Sequence, residues 1–469
     1  MIRKSAIALL AMLSATAGDA ATTKPRLVVI VLVDTLRADH VGVYGYQRPT
    51  TPDLDQLFRE GSILYTQCYS SAAYTQPSKT SLMTGQRPSR HGYTSYQTGT
   101  GSIDVNLVSF MKANGYFAIS SNANPNTPWL DTRYDEFWAT QWKKDGTYRY
   151  YPADKVIEEA KRLIAKANGR DVFLFMQFAD PHLPYDPPDY DPAFFQHDSI
   201  GRNFDPKFDG MRVAHVKEIT PPVLANMRNR YDASIRYIDK LLAPFLRSLQ
   251  KSWPDHLIVF TSDHGEAFLE HGEAGHSTSM YNTVIRVPLV IIDSAQKRDS
   301  MQTSAALVSG LDVFPTIMER LGANPETQQL DGRSFAWTLD KTASRSHGRV
   351  AVAESPYMND ALTSFGRCWG MAYFYQPKWG EGDGTVAKLT TTGPGCNELR
   401  YSTIHRNQWF DVHSDPSESH QIRVKRVAKD VAEARFAAVW NAPGSVSGAP
   451  VRRTPEQIEI LKSLGYLNN

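Results

Sequence analysis

Cysteine is scarce in this chain. Cys68, Cys368 and Cys396 are the only three in 469 residues, and their spacing is not that of a metal site. An oxidising compartment permits a Cys368–Cys396 bridge, which leaves Cys68 single. Excess charge of either sign is also missing: 51 Lys and Arg against 49 Asp and Glu give a formal +2. Electrostatics therefore names no nucleic-acid partner. Beyond the N-terminus no apolar run is long enough for a membrane helix.

The N-terminus itself is patterned. A basic start (Arg3, Lys4) leads into the apolar run Ser5 to Leu13 and then into the small residues Ala15, Ala17 and Ala20. This order predicts a secretory signal over residues 1–20, the alternative being a buried N-terminal helix. No cysteine follows to take a lipid, so the expected product is a soluble periplasmic or secreted protein. At 41% hydrophobic content the remainder can bury a large core.

Arg26 to Val33 (RLVVIVLV) is an unbroken apolar run ending in Asp34. Far downstream, Leu257 to Phe260 ends in Thr261-Ser262-Asp263-His264-Gly265-Glu266. Two buried strands that carry acidic and imidazole groups at their C-terminal ends are where an open α/β sheet builds a site. Between them, Ala72 to Gly92 (AAYTQPSKTSLMTGQRPSRHG) predicts a turn followed by a short helix. That placement puts the Thr75 oxygen at a helix N-terminus, where backbone N–H groups favour an anion. A lone Asp34 also reads as a strand-end turn residue; its company with Thr75 and Asp263-His264 favours a shared site.

Further strands are expected at Ser62 to Tyr69, Phe117 to Ser121, Val172 to Phe178 and Val287 to Ile292. Helices are expected after Thr51, over Ser109 to Asn114, Asp154 to Asn168, Leu224 to Gln250 and Gly310 to Leu321. The strand Val172 to Phe178 empties into a proline-rich loop holding Asp180 and His182. Residues 190–220 show no clear period. The alternation predicts an α/β fold, a large mostly parallel sheet sandwiched by helices. Beyond Gly332 short strands at Val350 to Ala353, Trp369 to Tyr375 and Gln408 to Val412 predict a small antiparallel sheet, with a terminal helix from about Pro455. The expected division is a catalytic domain over 21–342 and a C-terminal α+β subdomain over 343–469.

Taken in order, VVIVLVDTLRADHVGVYGY, TQPSKTSLMTGQRPSRHG, ADPHLPYDPP, YDASIRYID, FTSDHGE, YNTVIRVPLVI, LDVFPTIMERLG with LDGRSF, and WFDVHSDPSE resemble the sulfatase family of the alkaline phosphatase superfamily. The resemblance implies an alkaline phosphatase-like fold and one divalent ion (calcium, magnesium, manganese or zinc) bound by Asp34, Asp263, His264 and the Thr75 oxygen. It also implies that Thr75 is the nucleophile and that His182 faces the ester oxygen, unless His182 is simply packed among the prolines. His276 falls near the transferred group, and Lys79 stands where the family has an arginine. His271 and Asp180 are weaker candidates, Asp180 reading either as a loop cap or as part of a second metal site.

Three departures matter. Threonine replaces the cysteine or serine that is converted to formylglycine, so no formylglycine is expected and phosphoryl chemistry gains weight. Thr35 occupies the place of a second acidic ligand. The family's Lys-x-His segment is absent, with Asn122 and Asn124 there instead. The expected activity is hydrolysis of sulfate or phosphate esters of small molecules, glycans or lipids. The alternatives are a phospho-group transferase and an inactive relative that binds an anionic glycan or lipid. A thiol count on the unreduced protein is expected to find one free thiol; three would remove the Cys368–Cys396 bridge.

Overall fold

The computed structural model describes residues 24–93, 103–124, 127–140, 150–199, 219–277, 280–296, 298–339, 349–356, 369–376, 387–392, 408–411, 415 and 417–419. An apolar run with no polar face belongs inside a sheet, and β1 (Leu27–Val33) is buried along its whole length. It is followed by α1 (Pro52–Arg59), β2 (Ile63–Tyr69), α2 (Thr75–Thr84), α3 (Pro88–His91), α4 (Leu107–Ala113), β3 (Phe117–Asn122), α5 (Pro128–Asp131) and β4 (Glu136–Ala139). Next come α6 (Ala153–Ala165), β5 (Val172–Phe178), α7 (Pro221–Ser252), β6 (His256–Thr261), β7 (Ala267–Phe268), β8 (Ala274–Gly275) and α8 (Asn282–Ile285). The chain continues through β9 (Leu289–Asp293), β10 (Gln302–Ser309), α9 (Val313–Arg320), β11 (Arg349–Pro356), β12 (Trp369–Gln376), β13 (Ala387–Thr392) and β14 (Gln408–Asp411).

Eight strands form one sheet in the order β10-β2-β9-β6-β1-β5-β3-β4. Only β9 runs against its neighbours β2 and β6; the other pairings are parallel. Alternation along β1 divides the core. Leu27, Val29, Val31 and Val33 pack with α1, α6 and α7, through residues such as Phe58, Val156 and Tyr231. Val28, Ile30 and Leu32 pack with α2, α4 and α9, through Leu82, Met111 and Phe314.

Register then decides where chemistry collects. Leu32 lies opposite Gln177 of β5 and Thr261 of β6, and Gln177 lies opposite Asn122 of β3. The residues that follow this row, Asp34, Asn124 and Asp263-His264, therefore leave adjacent strands at the same edge of the sheet. On the α2 side, Gly85 ends the helix by taking φ 64°, a conformation glycine adopts without strain.

β11 to β14 form a four-stranded antiparallel sheet in sequence order. Its first strand is tied to the segments around α2. The Glu354 N–H donates to the Ser71 carbonyl at 2.8 Å, and its buried carboxylate accepts from the Ser89 N–H at 2.8 Å and the Arg87 guanidinium at 3.0 Å.

The expected sheet, its covering helices and the antiparallel C-terminal strands are all present. β9 keeps its position but runs antiparallel, which an apolar run alone does not disclose. β4, β10 and β13 were not foreseen. β4 is a four-residue edge strand whose Phe137 is exposed, and β10 begins at the other edge with the exposed Gln302 and Thr303. Edge strands lack the two-sided burial that makes a strand legible. The signal segment, residues 200–218, the expected division at 342/343, Cys368, Cys396 and the helix from Pro455 lie outside the described residues. Cys68 is buried and free. No described helix is long and apolar enough to cross a membrane.

Candidate active site

The site begins with three turns held in place. Thr75 is the first residue of α2, entered from an extended Tyr74. The Ser78 hydroxyl donates to the Ala72 carbonyl at 2.9 Å and lies 3.0 Å from the Ser70 hydroxyl, which also bonds the Asp263 carbonyl. These serines fasten the start of α2 to the loop after β6. Behind β1, Thr35 takes φ 60°, unusual for a β-branched residue and costing roughly 1–3 kcal/mol. The Tyr231 hydroxyl of α7 holds that turn, donating to the Thr35 carbonyl at 2.7 Å and accepting from the Arg37 N–H at 3.0 Å. The turn aims the Thr35 N–H at Asp263 Oδ1, 3.3 Å away. Gly265 is required by close approach: a Cβ there would meet the Thr283 carbonyl at 2.2 Å.

Asp34, Thr75, Asp263 and His264 converge, all of them buried. Thr75 Oγ1 lies 3.4 Å from Asp34 Oδ1 and 3.3 Å from His264 Nε2. His264 Nε2 is 3.6 Å from Asp34 Oδ1 and 3.8 Å from Asp263 Oδ2. The other ring nitrogen, Nδ1, faces the Gly265 carbonyl at 2.9 Å. A carbonyl only accepts, so the proton sits on Nδ1 and the Nε2 lone pair points into the cluster. Asp34 Oδ2 accepts from Asn124 Nδ2 at 2.6 Å and from Gln177 Nε2 at 3.1 Å. Lys79 Nζ donates to Gln177 Oε1 at 2.7 Å and to the Asn124 carbonyl at 3.2 Å.

Electrostatically the cluster is short of positive charge. Burial, and then the neighbouring Asp263 carboxylate, raise Asp34 above the ordinary carboxylate range. Burial pushes Asp263 up to about 7 and Glu266 up to about 8. Burial lowers His264 and His276 to about 3, and Lys79 to about 8 against the pull of Asp131, Asp263 and Asp34. Asp263 Oδ2 is buried without a hydrogen-bond partner. Asp34, Asp263 and His264 each offer one ligand atom within 4.8 Å of the others, the one such group among the described residues. An orphaned carboxylate oxygen, a second carboxylate and an imidazole lone pair fit a divalent cation.

The structure brings the remaining expected residues to two places. His276 packs on His264 with ring centroids 4.4 Å apart, and His182 meets His276 edge-on at 5.1 Å. The three imidazoles are thus linked ring to ring beside the cluster, and His182 and His264 both act on the Asp34 carboxylate. Lys79 sits behind Asp34 and reaches it through Gln177. Asn124 belongs to the cluster, whereas Asn122 turns its amide toward Asp131 at 3.5 Å. Asp180 bonds the Ala153 N–H at the start of α6, and His271 stacks flat on Tyr281 at 3.6 Å. Neither His271 nor Asp180 is among the groups placed around Thr75. Sequence reasoning missed Gln177 and Glu266. An amide inside the apolar run VFLFMQF was the available signal for Gln177. Glu266, whose carboxylate lies 3.2 Å from His276 Nδ1, stood in view after SDHG.

An α/β sheet of this topology, with hydroxyl, carboxylate and imidazole groups gathered at the C-terminal ends of β1, β6 and β5, has the alkaline phosphatase-like architecture. The sulfatase family profile matches residues 26–323, and the chain belongs to that family. It is a sulfatase-like ester hydrolase by class. It is 25% identical over 392 residues to iduronate 2-sulfatase of Mus musculus, covering 68% of this chain and 69% of that protein. It is 24% identical over 432 residues to an ulvan-active sulfatase of Formosa agariphila, covering 89% of this chain and 79% of the other. Among solved structures, the phosphonate monoester hydrolase of Agrobacterium radiobacter superposes with a TM-score of 0.63 at 19% identity, covering 92% of this chain and all of that one.

The Tyr231 hydroxyl is central to the strained Thr35 turn. Tyr231→Phe strands a buried carbonyl and a buried N–H, and a loss of about 1–3 kcal/mol is expected from the urea midpoint at unchanged slope. A midpoint identical to that of the parent would mean that this hydroxyl does not hold the turn.

Proposed function

We propose that this protein is an exported, metal-dependent hydrolase that cleaves phosphate or sulfate esters with the unmodified Thr75 hydroxyl as nucleophile. The observation that carries the reading is the position of Thr75 Oγ1, at the first residue of α2 and within 3.4 Å of both Asp34 Oδ1 and His264 Nε2. Asp34, Asp263 and His264, with Thr75 beside them, are the residues that would hold the cation. When bound, a divalent ion supplies charge neutralisation for the ester's non-bridging oxygens and eases ionisation of a neighbouring hydroxyl.

The chain's own groups then account for the reaction. Thr75 releases its hydroxyl proton to solvent and attacks the central phosphorus or sulfur atom in line. The bond from that atom to the leaving oxygen breaks, and His182 returns a proton to the departing alkoxide. His276, kept neutral by burial and oriented through Nδ1 by Glu266, hydrogen-bonds the transferred group. Water next attacks the Thr75 adduct, releasing phosphate or sulfate and restoring the hydroxyl. The N-terminus of α2 favours the anion throughout. Threonine cannot supply the second hydroxyl by which a formylglycine hydrate expels sulfate, so clearance rests on attack by water. This favours phosphate esters over sulfate esters.

The basic start and apolar run ahead of Ala20 support export, and the small antiparallel sheet is best read as a C-terminal subdomain beginning near 343. Thr75→Ala is expected to abolish turnover of aryl phosphate, phosphodiester, phosphonate and sulfate esters. The melting temperature should stay within about 2 °C, since only one hydroxyl and one methyl are removed. In the parent protein, mass spectrometry of an acid-quenched reaction should place a phosphoryl or sulfuryl group on Thr75. Unaltered rates in Thr75→Ala, or an adduct on another residue, would remove Thr75 from the mechanism. Expression in a host without sulfatase-maturing enzymes should leave activity intact.

A further inference from the structure

Gln177 occupies the penultimate position of β5, in a run that is otherwise wholly apolar and buried. A buried amide in such a strand needs partners on both ends, because leaving either end unpaired costs about 1–3 kcal/mol. Both ends are engaged by groups that decide its orientation. Lys79 has only donors, so the Gln177 oxygen must face the ammonium, at 2.7 Å; Asp34 Oδ2 only accepts, so the amide nitrogen must face it, at 3.1 Å. Asn124 Nδ2 occupies a second acceptor site of the same Oδ2, at 2.6 Å, and the Asn124 carbonyl takes a second Lys79 proton, at 3.2 Å.

Two consequences follow for Asp34. With Oδ2 engaged by two side-chain amides, the carboxylate cannot rotate, and Oδ1 is left facing Thr75 and His264. The ammonium, which in direct contact would occupy a carboxylate oxygen and compete with a divalent cation for it, is held one residue back. Its charge still offsets the two buried carboxylates, and the polarised ammonium–amide–carboxylate chain strengthens each bond in it.

We infer that Gln177 is a positioning residue for cation binding, an amide spacer between Lys79 and Asp34 that presents one Asp34 oxygen to the ion and keeps the lysine off it. This rests on the metal reading given above. It adds a residue that touches neither ester nor cation and acts only through Asp34 and Lys79. Outer partners of metal ligands characteristically change affinity by about 10–100-fold when removed.

The test is calorimetric titration of the metal-free full chain with Mn²⁺, and in parallel with Ca²⁺, Mg²⁺ and Zn²⁺, for the parent, Gln177→Leu, Gln177→Met and Asp263→Asn. Both Gln177 variants fill the same space without the amide. The expected result is a metal Kd weakened by about 10–100-fold in both, with the metal-free protein folded and its melting temperature lowered by a few degrees, because Lys79 and Asp34 each lose one buried partner. At saturating metal, kcat and KM for an aryl phosphate should recover to within about threefold, because the placement of Asp34 is then enforced by the ion itself. Unchanged metal Kd in a folded Gln177 variant would overturn the inference. So would a loss of kcat that saturating metal does not restore, or failure of both variants to fold, which would make Gln177 a packing residue. If the parent binds none of the four ions, or Asp263→Asn binds as tightly as the parent, the metal reading itself falls. If parent binding is lost in Asp263→Asn but untouched in the Gln177 variants, only the role given to Gln177 falls.

Discussion

Two buried carboxylates are brought within a few ångströms of each other by the pairing of β1 with β6. Asp34 is two residues past Leu32, and Asp263 is two residues past Thr261, its partner in the parallel register. That juxtaposition is unfavourable by itself, since both acids are driven above their ordinary range by burial and Asp34 further by its neighbour. Much of the surrounding structure is understandable as its compensation. Asn124 and Gln177 donate to Asp34, the Thr35 and His264 N–H groups donate to Asp263, and Lys79 lies close behind. One oxygen, Asp263 Oδ2, is left without any of these.

The Thr75 hydroxyl is positioned by the same economy of contacts. Thr75 is carried by α2, whose start is fastened through Ser70 and Ser78 to the Asp263 loop, and its hydroxyl meets Asp34 Oδ1 and His264 Nε2. Thr35, directly after Asp34, contributes a backbone N–H from a left-handed turn. The site therefore carries one negative charge fewer than a site with two adjacent aspartates.

Much of this was legible in the residues. Unbroken apolar runs that end in Asp34 and in Ser262-Asp263-His264 announce buried parallel strands and the edge at which they open, because a strand covered on both faces has no reason to carry polar residues until it ends. Thr75 was legible from the turn and helix pattern that follows it. His182 and His276 were placed by family resemblance, and the structure links their rings to His264 by successive contacts. What was not legible depends on pairing. The reversal of β9 leaves no mark in an apolar pentapeptide, and the edge strands β4 and β10 lack two-sided burial. The importance of Gln177 appears only once register sets it opposite both Leu32 and Asn122. Asp180 and His271 show the converse, since residue types suited to chemistry serve here as a helix-start contact and a ring stack.

The central claim is that the paired strand ends hold a cation against the Thr75 hydroxyl. Anomalous diffraction at the manganese edge, from crystals grown with Mn²⁺, tests it most directly. The account predicts one strong peak at about 2.0–2.6 Å from oxygens of Asp34 and Asp263 and from His264 Nε2, with Thr75 Oγ1 adjoining it. A peak at any other cluster, with ordered density for Asp34 and Asp263 and nothing between them, would contradict it.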